Sequence, residues 1–135
     1  MNQSYIDVNY ELIGRYYNEH EYRTLLINEK GYSAEQIGIV ITKLFELELS
    51  VSKRDDYHIF IKGNVQKIAQ LFNTVLLTYK SKKDEKIYFR SEKIVIPEEL
   101  NFITYVLPIE NLPSVEKAGY ISQQLSGLNV IQMAN

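Results

Sequence analysis

Few residues of this chain have the type and spacing that chemistry demands. Its two histidines, His20 and His58, belong to no H-E-x-x-H motif or other ligand-spaced pair, whereas a catalytic zinc usually takes three protein ligands. Cysteine is absent, which removes thiol nucleophiles, thiolate metal sites and disulfides together. The adjacent acids Asp55-Asp56 and Glu98-Glu99 occupy a polar turn and the start of a helix, where solvated carboxylates are ordinary. There is no G-x-S-x-G elbow and no glycine-rich phosphate cradle; Gly31, Gly38 and Gly63 read as turn or packing positions. The expectation is a protein without catalytic residues, metal or cofactor, which acts by binding.

Charge narrows the partner. Lys80, Lys82, Lys83 and Lys86 are interrupted by Asp84 and Glu85, the pattern of a solvated hairpin tip. A net charge of −2 and a pI near 5.7 give no general attraction to nucleic acid or to an anionic membrane. The longest apolar run, residues 37–41, contains a glycine and falls far short of the roughly 18 residues that cross a bilayer. The first residues, Met1-Asn2-Gln3-Ser4, carry neither a basic region nor an apolar core of a signal peptide. As written the chain reads as cytoplasmic, or as secreted if it is a piece of a precursor, which leaves the compartment open.

The elements that would position a binding surface follow from periodicity. Residues 5–12 alternate, with Ile6, Val8, Tyr10 and Leu12 opposed to Asp7, Asn9 and Glu11, as in a half-buried strand. Asn18 to Tyr22 suggests a short helix that also carries Leu25 and Leu26. Ser33-Ala34-Glu35-Gln36 is a capping box, and Ile37, Val40, Ile41 and Leu44 then supply the stripe of a helix that runs to about Phe45. Leu47, Leu49 and Val51, followed by Tyr57, Ile59 and Ile61, predict two strands of a hairpin. Asn64 caps a second helix whose face is Val65, Ile68, Leu71 and Phe72. A strand at 75–79, an extended pair 87–89 with 94–96, and a helix start at Pro97-Glu98-Glu99 complete the series. The order predicts an α+β fold of the ferredoxin-like split βαβ (βαββαβ) type: an antiparallel sheet with helices on one face, an extra hairpin and a C-terminal tail. Residues 1–113 form the expected domain, and residues 114–135 the tail or linker.

If the apolar set of each strand faces the helices, the other sheet face carries Asp7, Asn9, Glu11, Glu48, Ser50, Ser52, His58, Phe60, Leu76 and Thr78. This face is expected to be acidic to neutral, with an apolar island at Phe60 and Leu76. The 11 tyrosines raise the question of base stacking, but such a face repels phosphate and suits a protein partner. Glu48, Ser50, His58, Phe60, Leu76 and Thr78 are therefore the expected partner-binding residues.

From residue 21 onward the chain resembles the activation domain of pro-kumamolisin, the propeptide of the sedolisin (serine-carboxyl) peptidases. The residues that carry the resemblance are Gly31-Tyr32-Ser33-Ala34-Glu35-Gln36, Val40, the segment 47–51, Ile61-Lys62-Gly63, Val65, Ile68, Phe72, Tyr79, Tyr88 and Ile96-Pro97. The resemblance spans about residues 5–113 and implies the same ferredoxin-like fold. It also implies a partner, the catalytic domain of a peptidase, which the propeptide helps to fold and blocks until acid-triggered cleavage. The sheet face would dock, and the segment after Pro113 would enter the substrate cleft as an added strand. No catalytic residue carries over, because those of the family lie in the peptidase domain. The chain would act in cis as a precursor fragment or in trans as a free protein. The alternative is a non-enzymatic ferredoxin-like interaction or assembly module, for instance a homodimer through the strand edge at residues 87–89.

Overall fold

The computed structural model describes residues 9–113. The order is β1 (Tyr10–Arg15), β2 (Glu21–Ile27), α1 (Ala34–Glu46), β3 (Ser50–Arg54), β4 (His58–Asn64), α2 (Val65–Leu71), β5 (Leu76–Ser81), β6 (Ile87–Ser91), a 3-10 turn (Glu98–Leu100) and β7 (Tyr105–Val106). It is an α+β fold with antiparallel sheets and two helices, compatible with the split βαβ plan. The strands divide over two sheets, a four-stranded one in the order β3-β4-β2-β7 and a three-stranded one in the order β1-β5-β6. An isolated bridge pairs Arg90 of β6 with Glu110, in the segment that follows β7.

Both helices start where the caps place them. The Ser33 hydroxyl accepts from the Gln36 N–H at 3.1 Å while Gln36 Oε1 accepts from the Ser33 N–H at 2.9 Å, the reciprocal pair of a capping box. Asn64 Oδ1 accepts from the Gln66 N–H at 2.8 Å. Val40 and Leu44 of α1, and Val65, Ile68 and Leu71 of α2, form one core with Leu26, Ile59 and Ile61 of the four-stranded sheet. Phe72, which caps α2, is fully buried within it.

Four expectations are corrected. The segment read as a short helix at Asn18–Tyr22 instead leads into β2, a strand held between β4 and β7. Thr24, Leu25, Leu26, Ile27 and Asn28 are all buried, and a strand covered on both faces shows a continuous apolar run rather than alternation. Residues 94–96 form no strand: β6 pairs with β5 through the charged turn, and Val95 gives only one bond, from its N–H to the Phe72 carbonyl at 2.9 Å. The helix start at Pro97 yields only a 3-10 turn, closed by Leu100 and Asn101 N–H groups. Ile41, placed in the buried stripe, is 47% exposed, because the sheet covers only the arc of α1 that holds Val40 and Leu44. The first part of the expected strand at 5–12, and the tail at 114–135, lie outside the described residues. Among those residues no helix is long and apolar enough to cross a membrane.

Candidate protein-docking face

Pairing registers decide which side chains share a face. Leu26 opposite Ile59 and Thr24 opposite Ile61 look toward the helices; Arg23 opposite Lys62, Leu25 opposite Phe60 and Ile27 opposite His58 therefore look away. On β3, Ser50 stands beside Lys62 and Lys53 beside Phe60. The face away from the helices is buried at Leu25, Ile27 and His58 and presents half-buried Phe60 among Arg23, Lys53 and Lys62, with one carboxylate, Glu21, 3.7 Å from Arg23.

The six residues expected to bind a partner are not all brought together. Ser50 and Phe60 lie on this face, with Ser50 exposed. His58 shares the face but is 3% exposed, and its Nδ1 stands 2.7 Å from Asp55 Oδ1. The same oxygen accepts the N–H groups of Tyr57 and His58 at 2.8 and 2.9 Å. Burial opposes ionisation of Asp55, yet these three partners outweigh it and hold the carboxyl below its ordinary value. The His58 ring is thereby part of the turn that joins β3 to β4 rather than part of the surface. Leu76 is fully buried in the core, and Thr78 belongs with it to the other sheet, where its hydroxyl donates to the Arg15 carbonyl at 3.1 Å. Glu48 is not on a strand at all: it holds φ = 61° in the turn after α1, where its carboxylate stands 3.9 Å from Lys67.

The expected acidic-to-neutral character is also corrected. Asp7 lies outside the described residues, Glu11 belongs to the three-stranded sheet, and β2 adds Arg23. A bulge between Val51 and Lys53 sets Lys53, rather than Ser52, opposite Phe60. The Phe60 surroundings are basic, so the electrostatic reason for that face to exclude phosphate falls away.

Two other surfaces bear on docking. Phe45, 82% exposed, follows Ile41 one turn later on the solvent side of α1; the signal was an apolar arc wider than one sheet can cover. The strand edge at residues 87–89 is capped at Phe89, whose N–H donates to Asn111 Oδ1 at 2.7 Å and whose carbonyl accepts the Asn111 N–H at 3.1 Å. The tyrosines do structural work: Tyr16 stacks on Phe89 with centroids 4.6 Å apart, and Tyr22 meets the same ring edge-on. Tyr16 Oη lies 2.9 Å from Nε2 of His20, which has no counterpart in a ligand set, since among the described residues no group of three His, Asp or Glu side chains could hold a metal.

The pro-kumamolisin activation domain family model matches residues 11–112. The chain belongs to this family. The matched stretch runs from β1 to the buried Leu112 and so includes both helices, both sheets and the Phe60 face. Several residues that carry the resemblance hold this activation domain together: Ser33 and Gln36 are its capping box, Gly63 and Val65 its turn from β4 into α2, and Phe72 its most buried aromatic ring. No curated protein matches the chain significantly.

Proposed function

We propose that this activation domain binds the catalytic domain of a sedolisin-type serine peptidase, and that in binding it inhibits the peptidase or assists its folding, with no catalysis of its own. The observation that carries the reading is the family match over residues 11–112. The contact is assigned to the sheet face around Phe60 and Ser50, with Arg23, Lys53 and Lys62 at its rim. A half-buried aromatic ring inside a ring of cations is the anatomy of a small docking site, in which the ring anchors and the charges steer. The surface it fits is apolar at its centre and acidic at its edge. His58, buried beside the β3–β4 turn, and Leu76, buried in the core, take no part in this contact.

The test is inhibition of a sedolisin-type peptidase by the purified chain across pH 3 to 7. Tight inhibition that fades as the pH falls supports the reading; absence of binding at every pH refutes it. Phe60→Asp is expected to lower affinity at least about tenfold while the circular dichroism stays native. Phe45→Asp, on the helical layer, should change affinity little. The reverse ranking would transfer the docking contact to α1.

A further inference from the structure

The last described segment is held far more firmly than its two-residue strand requires. The Leu107 N–H donates to the Leu25 carbonyl at 3.1 Å, and the Ser91 N–H to the Ile109 carbonyl at 2.9 Å. The segment therefore bonds to β2 with its first half and to β6 with its second. The Tyr22 hydroxyl accepts the Glu110 N–H at 3.0 Å and lies 3.2 and 3.1 Å from the carbonyls of Pro108 and Glu110. The Thr24 hydroxyl donates to the Leu107 carbonyl at 3.2 Å. Beside these, Arg90 Nε stands 3.3 Å from Glu110 Oε1, with side chains only 15% and 7% exposed. Ile109 and Leu112 are buried on either side of Glu110.

A buried ion pair is an expensive way to fasten a strand. Taking both charges out of water consumes much of their attraction, and apolar residues of similar volume commonly hold as well. What an ion pair adds is position, since the carboxylate has one place where it is compensated. A slip of one residue would turn Glu110 to the opposite face and leave Arg90 and the carboxylate apart. Tyr22 adds a second fixed point on the same residue.

We propose that Arg90, Glu110 and Tyr22 form a register clamp: positioning residues that fix the register of residues 107–112 on β2 and β6 and so the point at which the domain ends at Pro113. Resting on the function proposed above, inhibition depends on this end of the domain being held in one register while the Phe60 face docks.

The test replaces the pair by apolar residues, Arg90→Met with Glu110→Leu, in the full chain. The melting temperature should be retained or raised, as for other buried pairs so replaced. Amide exchange at Ser91, Glu110 and Asn111 should nevertheless accelerate by about tenfold or more, with β4 and α1 unchanged. Inhibition of a sedolisin-type peptidase should weaken by about tenfold. Tyr22→Phe, which keeps the ring on Phe89 and removes the hydroxyl, should act in the same direction and serves should the double variant fail to fold. Unchanged exchange at the three amides in a folded variant overturns the clamp. Faster exchange with undiminished inhibition overturns the dependence of inhibition on the clamp. If the native chain inhibits no such peptidase, the function proposed above fails, and the exchange measurement alone upholds or overturns the clamp.

Discussion

Replacing Phe72 by Ala is the sharpest probe of the fold. The ring is fully buried, in one core with Ile68, Leu71 and Leu76. Its backbone is fixed as well: the N–H closes α2 onto the Ala69 carbonyl, and the carbonyl accepts from Val95. The cavity left by truncation can therefore relax little, which places the loss in the range of about 3–5 kcal/mol for a buried aromatic. A domain of about 100 residues loses roughly 4 °C for each kcal/mol, so the midpoint should fall by roughly 12–20 °C. Urea unfolding should show a lower midpoint at an unchanged slope, since the area exposed on unfolding hardly changes. Phe45→Ala is the matched control. The same atoms are removed from a ring that is 82% exposed, and the change should stay within about 0.5 kcal/mol. A loss under about 1 kcal/mol for Phe72→Ala, or an equal loss for both, would refute the assignment of core and surface.

Two further outcomes follow from local geometry and from burial. At Gly63, φ is +154° and an added Cβ would collide with the Leu49 side chain, itself buried; Gly63→Ala should destabilise by about 1–3 kcal/mol, and an unchanged melting curve would refute that packing. Burial raises the phenols of Tyr22, Tyr32 and Tyr79 above their ordinary value of 10.0, offset in part by the hydrogen bond with the Glu110 backbone at Tyr22 and by the nearby Arg90 at Tyr79. Since the folded values are raised, the stability they supply is complete below pH 10.0 and is lost as the pH climbs through them. Ultraviolet titration should show a late group of tyrosines that ionise together with loss of far-ultraviolet dichroism; ionisation of all of them at once in a still-folded chain would refute it.

Local signals were legible wherever one segment carried the whole instruction. Ser33 with Gln36, and Asn64 with the stripe that follows it, specify helix starts through contacts within four residues, so both helices could be read directly. The strand β2 could not, because its character is set from outside. Residues 24–28 are buried on both faces, apolar and polar alike, in a strand paired with β4 and β7 on its two edges, and nothing in so short a run separates a central strand from a buried helical turn. Residues 94–96 erred in the opposite way: Ile94 and Ile96 pack partly against the core, which satisfies the hydrophobic pattern without any strand pairing.

The docking face was less legible than the fold for a reason of parity. Which side of a strand a residue occupies depends on every residue counted before it, and one extra residue inverts the assignment downstream. The bulge between Val51 and Lys53 makes that inversion beside Phe60, and the missed strand β2 withholds Arg23 from the same surface. Together they turn a face read as acidic to neutral into a basic one on a chain of net charge −2. Net charge is therefore no guide to the partner here: on the proposed face a docking protein would meet the local set Arg23, Lys53 and Lys62, and it is against that set that an acidic surface would gain. Phe60 lies on the side of the sheet expected for it because its neighbours Ile59 and Ile61 fix its parity within one unbulged strand.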